Sequence, residues 1–193
     1  MLRKTISCGA DEAILVGDRA FAGSDTLATS YTLSKTIKKV KDYDLIICGR
    51  QTIDGDTAQV GPETAEMLGI AFISYVSKIK EIKDGVMRAQ RMIEEGHEVI
   101  ETTLPALITV VKEINVPRLP SLRGKAKAKS AVIVNWNALA LETDPERVGL
   151  TGSPTRVVKI FSPQRTRNGE VLQGSPEEQI VNLLKKLKDS HLI

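Results

Sequence analysis

The sequence predicts an α/β fold: a mostly parallel sheet, an antiparallel meander beside it, and a C-terminal arm that carries a helix. Three observations predict it. Ala13–Val16 and Leu45–Cys48 are short apolar runs separated by a long helical pattern, as in the βαβ units of parallel sheets. Asp84-Gly85 and Glu95-Gly96 separate β-rich runs, and Asp-Gly in that position is a strong hairpin signal. Ser175-Pro176-Glu177-Glu178 is a well-formed helix start that follows a stretch rich in Pro, Gly and polar residues.

Taken in order, Leu2–Ser7 reads as the last turns of a helix that Gly9 stops at C′, with no N-cap before it. Ala13–Val16 is a short parallel strand. Residues 17–25 form a loop in which Ser24 or Asp25 caps the next helix. That helix runs from Thr26 to Val40, with Leu27, Tyr31, Leu33, Ile37 and Val40 as an imperfect apolar stripe. Lys38, Lys39 and Lys41 suit the negative end of its dipole. Asp44–Cys48 is the second parallel strand and closes a right-handed βαβ unit with the first. A short helix covers Gly61–Leu68.

The period then changes. Ile73–Ile79, Val86–Glu94 and Glu98–Thr103 form the meander. Pro105 opens Ala106–Val111, an unbroken β-rich run placed as a central strand. Asn115–Lys129 is a loop running into a basic segment, and residues 137–149 form a helical turn and loop. Val157–Phe161 is a strand, and Ser162–Ser175 an extended arm. Ile180, Leu183, Leu184 and Leu187 give the terminal helix an apolar stripe. The expected division is an α/β domain at 1–161 and an arm with its helix at 162–193, the latter docking on its own domain or on another chain.

A chain of 193 residues, 41% hydrophobic and 26% charged, is an ordinary globular domain with a sizeable core. Aromatic residues make up 4%, too few for a base-stacking platform, so no nucleic-acid partner is expected. No run of about 18 apolar residues spans a membrane. Cys8 and Cys48 have no CxxC partner or metal spacing, which fits a reducing, cytoplasmic compartment, with Cys48 as a buried structural thiol. No nucleophile, acid–base pair or metal set is visible. The expected role is therefore a binding module rather than a stand-alone enzyme.

The stretch Gly49–Thr64, GRQTIDGDTAQVGPET, carries the most positional chemistry. Strand, loop and helix N-terminus is the arrangement by which open α/β sheets hold a phosphate or nucleotide. Gly49, Gly55 and Gly61 permit positive φ or close approach. Asp54, Asp56, Thr57 and Gln59 offer side-chain donors and acceptors, and Pro62 suits a first helical turn. In Asn115–Lys129, Pro117 and Pro120 stiffen a loop that places Leu119 and Leu122 among charges. Such a loop either displays a leucine to a partner or covers the edge of the core.

Together, DLIICG, IDGDTAQVGPETAEMLG and PRLPSLRGKAKAK resemble the β-subunit of electron transfer flavoprotein, and the order of these blocks matches from about Leu2 to the C-terminus. The resemblance implies a Rossmann-like adenine-nucleotide-binding fold and a heterodimer with an α-subunit. It implies FAD shared with that α-subunit, and in the β-subunit either AMP or a second FAD of the electron-bifurcating kind. The wording DGDTAQVGP and the tail from Gly169 lean toward that kind. The nucleotide loop of the family falls on Ile53, Asp54, Gly55, Asp56, Thr57, Ala58, Gln59, Val60, Gly61 and Thr64. The partner-recognition loop falls on Leu119, Leu122 and Arg123, with Leu122 matching the leucine that enters a pocket on acyl-CoA dehydrogenases. Ile114, Pro117 and Arg118 correspond to residues near the flavin ring.

The family's first strand, helix and second strand have no counterpart here, so the expectation is a fragment or a truncated gene product with part of the nucleotide pocket missing. The open alternative is an adenine-nucleotide-binding sensor or scaffold without electron transfer. An ATP-pyrophosphatase-like enzyme is disfavoured, because no SGGxDS-type phosphate loop occurs.

Overall fold

The structure is a computed structural model that describes residues 1–162 and 169–192. The chain divides into two compact units, Met1–Arg156 and Val157–Ile193.

In the first unit the order is α1 (Leu2–Ser7), β1 (Ile14–Val16), α2 (Thr26–Val40), β2 (Leu45–Gly49), α3 (Val60–Leu68), β3 (Ala71–Lys83), β4 (Val86–Ile93), β5 (Gly96–Thr103), β6 (Ala106–Val110), α4 (Leu122–Ser130) and β7 (Val134–Trp136). The main sheet has the order β2-β6-β3-β4-β5. β6 pairs parallel with β2 on one side and with β3 on the other, and β3, β4 and β5 form the antiparallel meander. Central placement explains the solid apolar run of β6: Ala106, Leu107 and Ile108 are fully buried. Ile73, Val76, Met87 and Ala89 complete the core around it. Thus the predicted α/β class holds, with its parallel part and its meander.

The expected βαβ unit differs. β1 does not pair with β2 among the described residues. It pairs parallel with β7 in a separate two-stranded sheet. Residues 134–136 supply its ladder, and pairing over that sequence distance leaves no local trace in either run.

α2 has the predicted limits, and its cap explains them. Asp25 Oδ1 accepts from the Ala28 N–H at 3.1 Å. The expected stripe is incorrect at both ends, because Leu27 and Val40 are exposed while Ala28, Ser30, Tyr31, Thr32, Ser34 and Thr36 are buried. Small hydroxyl residues let α2 lie close to its neighbours. Three of the hydroxyls are satisfied locally: Thr32 donates to Ala28 O, Ser34 to Tyr31 O and Thr36 to Thr32 O, at 2.8–3.0 Å.

The basic segment is a helix rather than the expected extension of a loop. Ser121 caps α4 by accepting from the Gly124 N–H at 3.0 Å. At its other end Arg3 Nη1 donates to the carbonyls of Ala128, Lys129 and Ala131 at 2.5–3.2 Å. α1 and α4 touch so closely that a Cβ at Gly124 would overlap the Ser7 carbonyl oxygen.

In the second unit α5 (Pro176–Asp189) begins as predicted, with Ser175 and Glu178 forming a full capping box. The expected strand at Val157–Phe161 is absent. These residues have no regular structure and are exposed, since a β-rich run without a partner edge has no ladder to join. The part of the expected arm at 163–168 lies outside the described residues.

Asp25 also accepts from the backbone N–H and the hydroxyl of Thr155, at 3.0 and 2.9 Å. Burial opposes its charge, but the hydrogen bonds from Thr155 and Ala28 outweigh that, so its carboxyl sits below the ordinary range. A depressed folded pKa gives stability that is complete above the unfolded value of about 3.9 and fades as pH falls through the folded value. Asp25→Ala should cost about 1–2 kcal/mol at neutral pH in urea unfolding. The gap to wild type should narrow below pH about 4; a gap independent of pH would contradict the assignment.

Candidate functional site

The loop between β2 and α3 leaves the carboxyl end of a parallel strand, where α/β sheets bind ligands. Two of its backbone positions are left-handed, and neither is a glycine: Asp56 has φ +52 and Ala58 has φ +55. The turn is held from within. Asp56 N–H donates to Thr52 O at 3.1 Å, Gly55 N–H donates to Asp54 Oδ1 at 3.0 Å, and the Gln51 amide donates to Asp56 Oδ1. The Thr52 hydroxyl beside Asp54 holds its carboxyl below the usual range, so it stays charged.

Gly61 is required for close approach rather than for positive φ. A Cβ there would overlap the Thr109 methyl group of β6, with Phe72 and Leu107 next in line. This contact seats the start of α3 directly on the sheet. Gln59, at the N-cap, makes no side-chain cap hydrogen bond, so the first-turn N–H groups of α3 have no side chain from their own cap. Glu63 in that turn is held instead by α2, accepting from Ser30 Oγ at 3.0 Å and Thr26 Oγ1 at 3.2 Å. The N-terminal turns of α2 and α3 therefore meet at one place.

Between them lies a cavity of about 410 Å³. Of the predicted loop residues it brings together Thr57, Ala58, Gln59, Val60 and Gly61. Ile53, Asp54, Gly55 and Asp56 form the outer turn, with Ile53 fully exposed. Thr64 is buried, and its hydroxyl donates to Val60 O at 2.6 Å, so it braces the helix. The cavity also takes in Thr29 and Leu33 of α2, Cys48, and Arg50, Gln51 and Thr52 after β2. Sequence reasoning missed these as site residues. Their signals were available: Arg50-Gln51-Thr52 directly follow a strand, and Thr29 lies one turn into a capped helix. Cys48 is only partly buried and lines the cavity, which corrects the expectation of a buried structural thiol. Burial still pushes its thiol pKa up, which keeps it protonated and unreactive at neutral pH.

A wider cleft of about 1140 Å³ adjoins Arg50 and Gln51. Its far wall is Val110–Pro117, which includes Ile114 and Pro117 but not Arg118. Beyond it Leu119 and Leu122 are about nine-tenths exposed, so they do not cover the core edge of this chain. Arg123 is exposed on the first turn of α4. Lys127 on the same helix reaches Ala10 O at 3.3 Å and Asp11 at 3.1 Å, adding to the Arg3 clamp. Among the described residues no cluster of His, Cys, Asp and Glu could hold a metal, and no helix is long and apolar enough to cross a membrane.

Comparison with known proteins gives one consistent result. A family model described as "Electron transfer flavoprotein domain" matches residues 1–141. The chain is 47% identical over 193 residues to the electron transfer flavoprotein subunit beta of Thermoanaerobacterium thermosaccharolyticum, covering all of this chain and 74% of that one. It is 47% identical over 194 residues to the caffeyl-CoA reductase-Etf complex subunit CarD of Acetobacterium woodii, again over all of this chain and 74% of the relative. It is 43% identical over 200 residues to protein FixA of Azotobacter vinelandii, over 98% of this chain and 71% of the other.

Gly61→Ala should destabilise the fold by about 1–3 kcal/mol, because the added methyl has no space against Thr109. Thermal melting should show it, and a melt unchanged from wild type would mean that α3 is not seated as described. Gly49→Ala is the control: its Cβ would meet nothing, and its melt should stay close to wild type.

Proposed function

The chain belongs to the electron transfer flavoprotein family, which carries electrons, and we propose that its own part is to wall a nucleotide pocket and present a partner-docking loop. The single observation that carries this reading is the cavity where the first turns of α2 and α3 converge at the carboxyl end of β2.

The residues there fit an adenine nucleotide. The start of α3 has no side-chain cap and lies close on the sheet, so its N–H groups and dipole favour a phosphate. Thr57 and Gln59 offer donors and acceptors for a ribose, while Ala58, Val60 and Leu33 give apolar wall. The occupant is AMP or a second FAD of the bifurcating kind, and another FAD is shared with an α-subunit. Bound flavin supplies the redox chemistry; this chain binds it, orients it and limits its contact with water.

In this reading the chain is a carrier subunit, not a stand-alone catalyst. The relatives' names support that. They describe electron-transfer subunits, two of them named with a CoA reductase, and favour electron carriage over a sensor or scaffold. The words "subunit beta" and the CoA reductases in these names support a second subunit and a CoA-linked redox partner, which we read as an α-subunit and an enzyme of the acyl-CoA dehydrogenase type. Leu119, Leu122 and Arg123 form the face shown to that partner: exposed apolar knobs beside a cation, Leu119 just before α4 and the other two on its first turn, with that helix clamped from both ends. The tail acts as a separate module, and α5 docks on the partner subunit through Ile180, Leu183, Leu184 and Leu187, none of them buried. The two free cysteines suit the cytoplasm.

Absorbance and mass spectrometry of the native complex test the reading, with an α-subunit and one or two FAD per pair expected. A complex without flavin would overturn it. Leu122→Ala should slow reduction by the dehydrogenase about tenfold, as loss of a central apolar anchor does, with flavin content unchanged. An unaltered rate would remove Leu122 from the recognition role.

A further inference from the structure

Arg50 stands where three cavities meet. It lines the cavity under α3, the cleft beside Val110–Pro117, and a third of about 530 Å³ that it shares with Tyr75, Arg91 and Glu94. Its guanidinium carbon lies 4.8 Å from the centroid of the Tyr75 ring. Its Nε donates to Gln51 Oε1 at 2.9 Å, and the Gln51 amide donates to Asp56 in the nucleotide loop. Among the described residues no carboxylate forms an ion pair with Arg50, and only its Nε has a protein acceptor.

The backbone is shaped around the ring beneath it. Tyr75 has φ +55, a conformation that a bulky side chain rarely adopts. It sits where the pairing of β3 with β6 shifts register between Ile73 and Val76. Its N–H donates to Thr109 Oγ1 at 3.1 Å. An irregularity of this kind re-aims a side chain, and its strain persists only where the surroundings over-determine it.

A guanidinium that lies on an aromatic face, fixed at Nε and open at its far edge, suits an anion taken through two parallel N–H groups. The approach is clear, because a Cβ at Gly49 would meet nothing within 4 Å. The uncapped start of α3 faces the same cavity from another wall. An exposed peptide carboxylate would use Arg50 alone. A nucleotide phosphate uses both donor groups at once, and that favours the phosphate.

We propose that Arg50 is the side-chain anion ligand of the nucleotide site, holding a phosphate or pyrophosphate oxygen pair of the bound adenine nucleotide, with Tyr75 as its positioning residue. This rests on the nucleotide reading of the cavity under α3.

Calorimetric titration of the chain with AMP, ADP and adenosine tests it. Arg50→Met should weaken AMP and ADP about tenfold or more and change adenosine less than about twofold, as loss of a charge-assisted contact to phosphate alone does. Arg50→Lys should fall between, since it keeps the charge without the fork. Tyr75→Ser should weaken AMP in the same selective way. Arg50 is exposed, so thermal melting of its variants should match wild type. Equal affinities for AMP in Arg50→Met and wild type, or a parallel loss of adenosine, would overturn the assignment alone. A wild-type chain that binds none of the three would overturn the nucleotide reading and this assignment with it.

Discussion

Thr109 holds the site together from beneath. It is a buried polar residue on the central strand, and both parts of its side chain are used. The methyl group meets Gly61, which sets how close the start of α3 comes to the sheet. The hydroxyl accepts the N–H of Tyr75, which holds the register shift that turns the Tyr75 ring toward Arg50. Valine in its place would keep the first contact and orphan the second. Serine would keep the second and leave a gap under Gly61. A β-branched alcohol is the side chain that satisfies both, so the start of α3 and the Tyr75–Arg50 stack share one anchor.

Much of the fold is legible in the sequence because its signals are local. Asp25 and Ser175 mark helix starts by side chains that cap within three residues. Asp84-Gly85 marks a turn by its own backbone freedom. The unbroken run at Ala106–Val111 marks a strand covered on both sides. The misreadings are tertiary. β1 needs β7, more than a hundred residues away, for its ladder. Val157–Phe161 has strand composition and no edge to join. α4 has little apolar pattern, and much of its support is the cap at Ser121 and the reach of Arg3 from α1.

The site divides in the same way. Gly61 was visible as a glycine before a helix, but its reason, the Thr109 methyl group, is not adjacent in sequence. The glycines of the loop suggested left-handed backbone, whereas the structure gives that conformation to Asp56 and Ala58. Asp tolerates it well; Ala58 is held there by the hydrogen-bonded turn before it and α3 after it. Arg50 reads as a solvated charge at a strand end until Tyr75 is seen beneath it.

The capping box of α5 has a consequence for assembly. Fourteen residues is near the lower limit at which an isolated helix persists in water, and Ser175, Pro176 and Glu178 favour its nucleation step. A tail ordered in part before it meets its target loses less conformational entropy on docking. In the docking proposed above, α5 shares its chain with the main unit, so once that unit has engaged, the helix meets its target as an intramolecular partner. In that reading weak intrinsic affinity is enough, because the second contact forms within one complex.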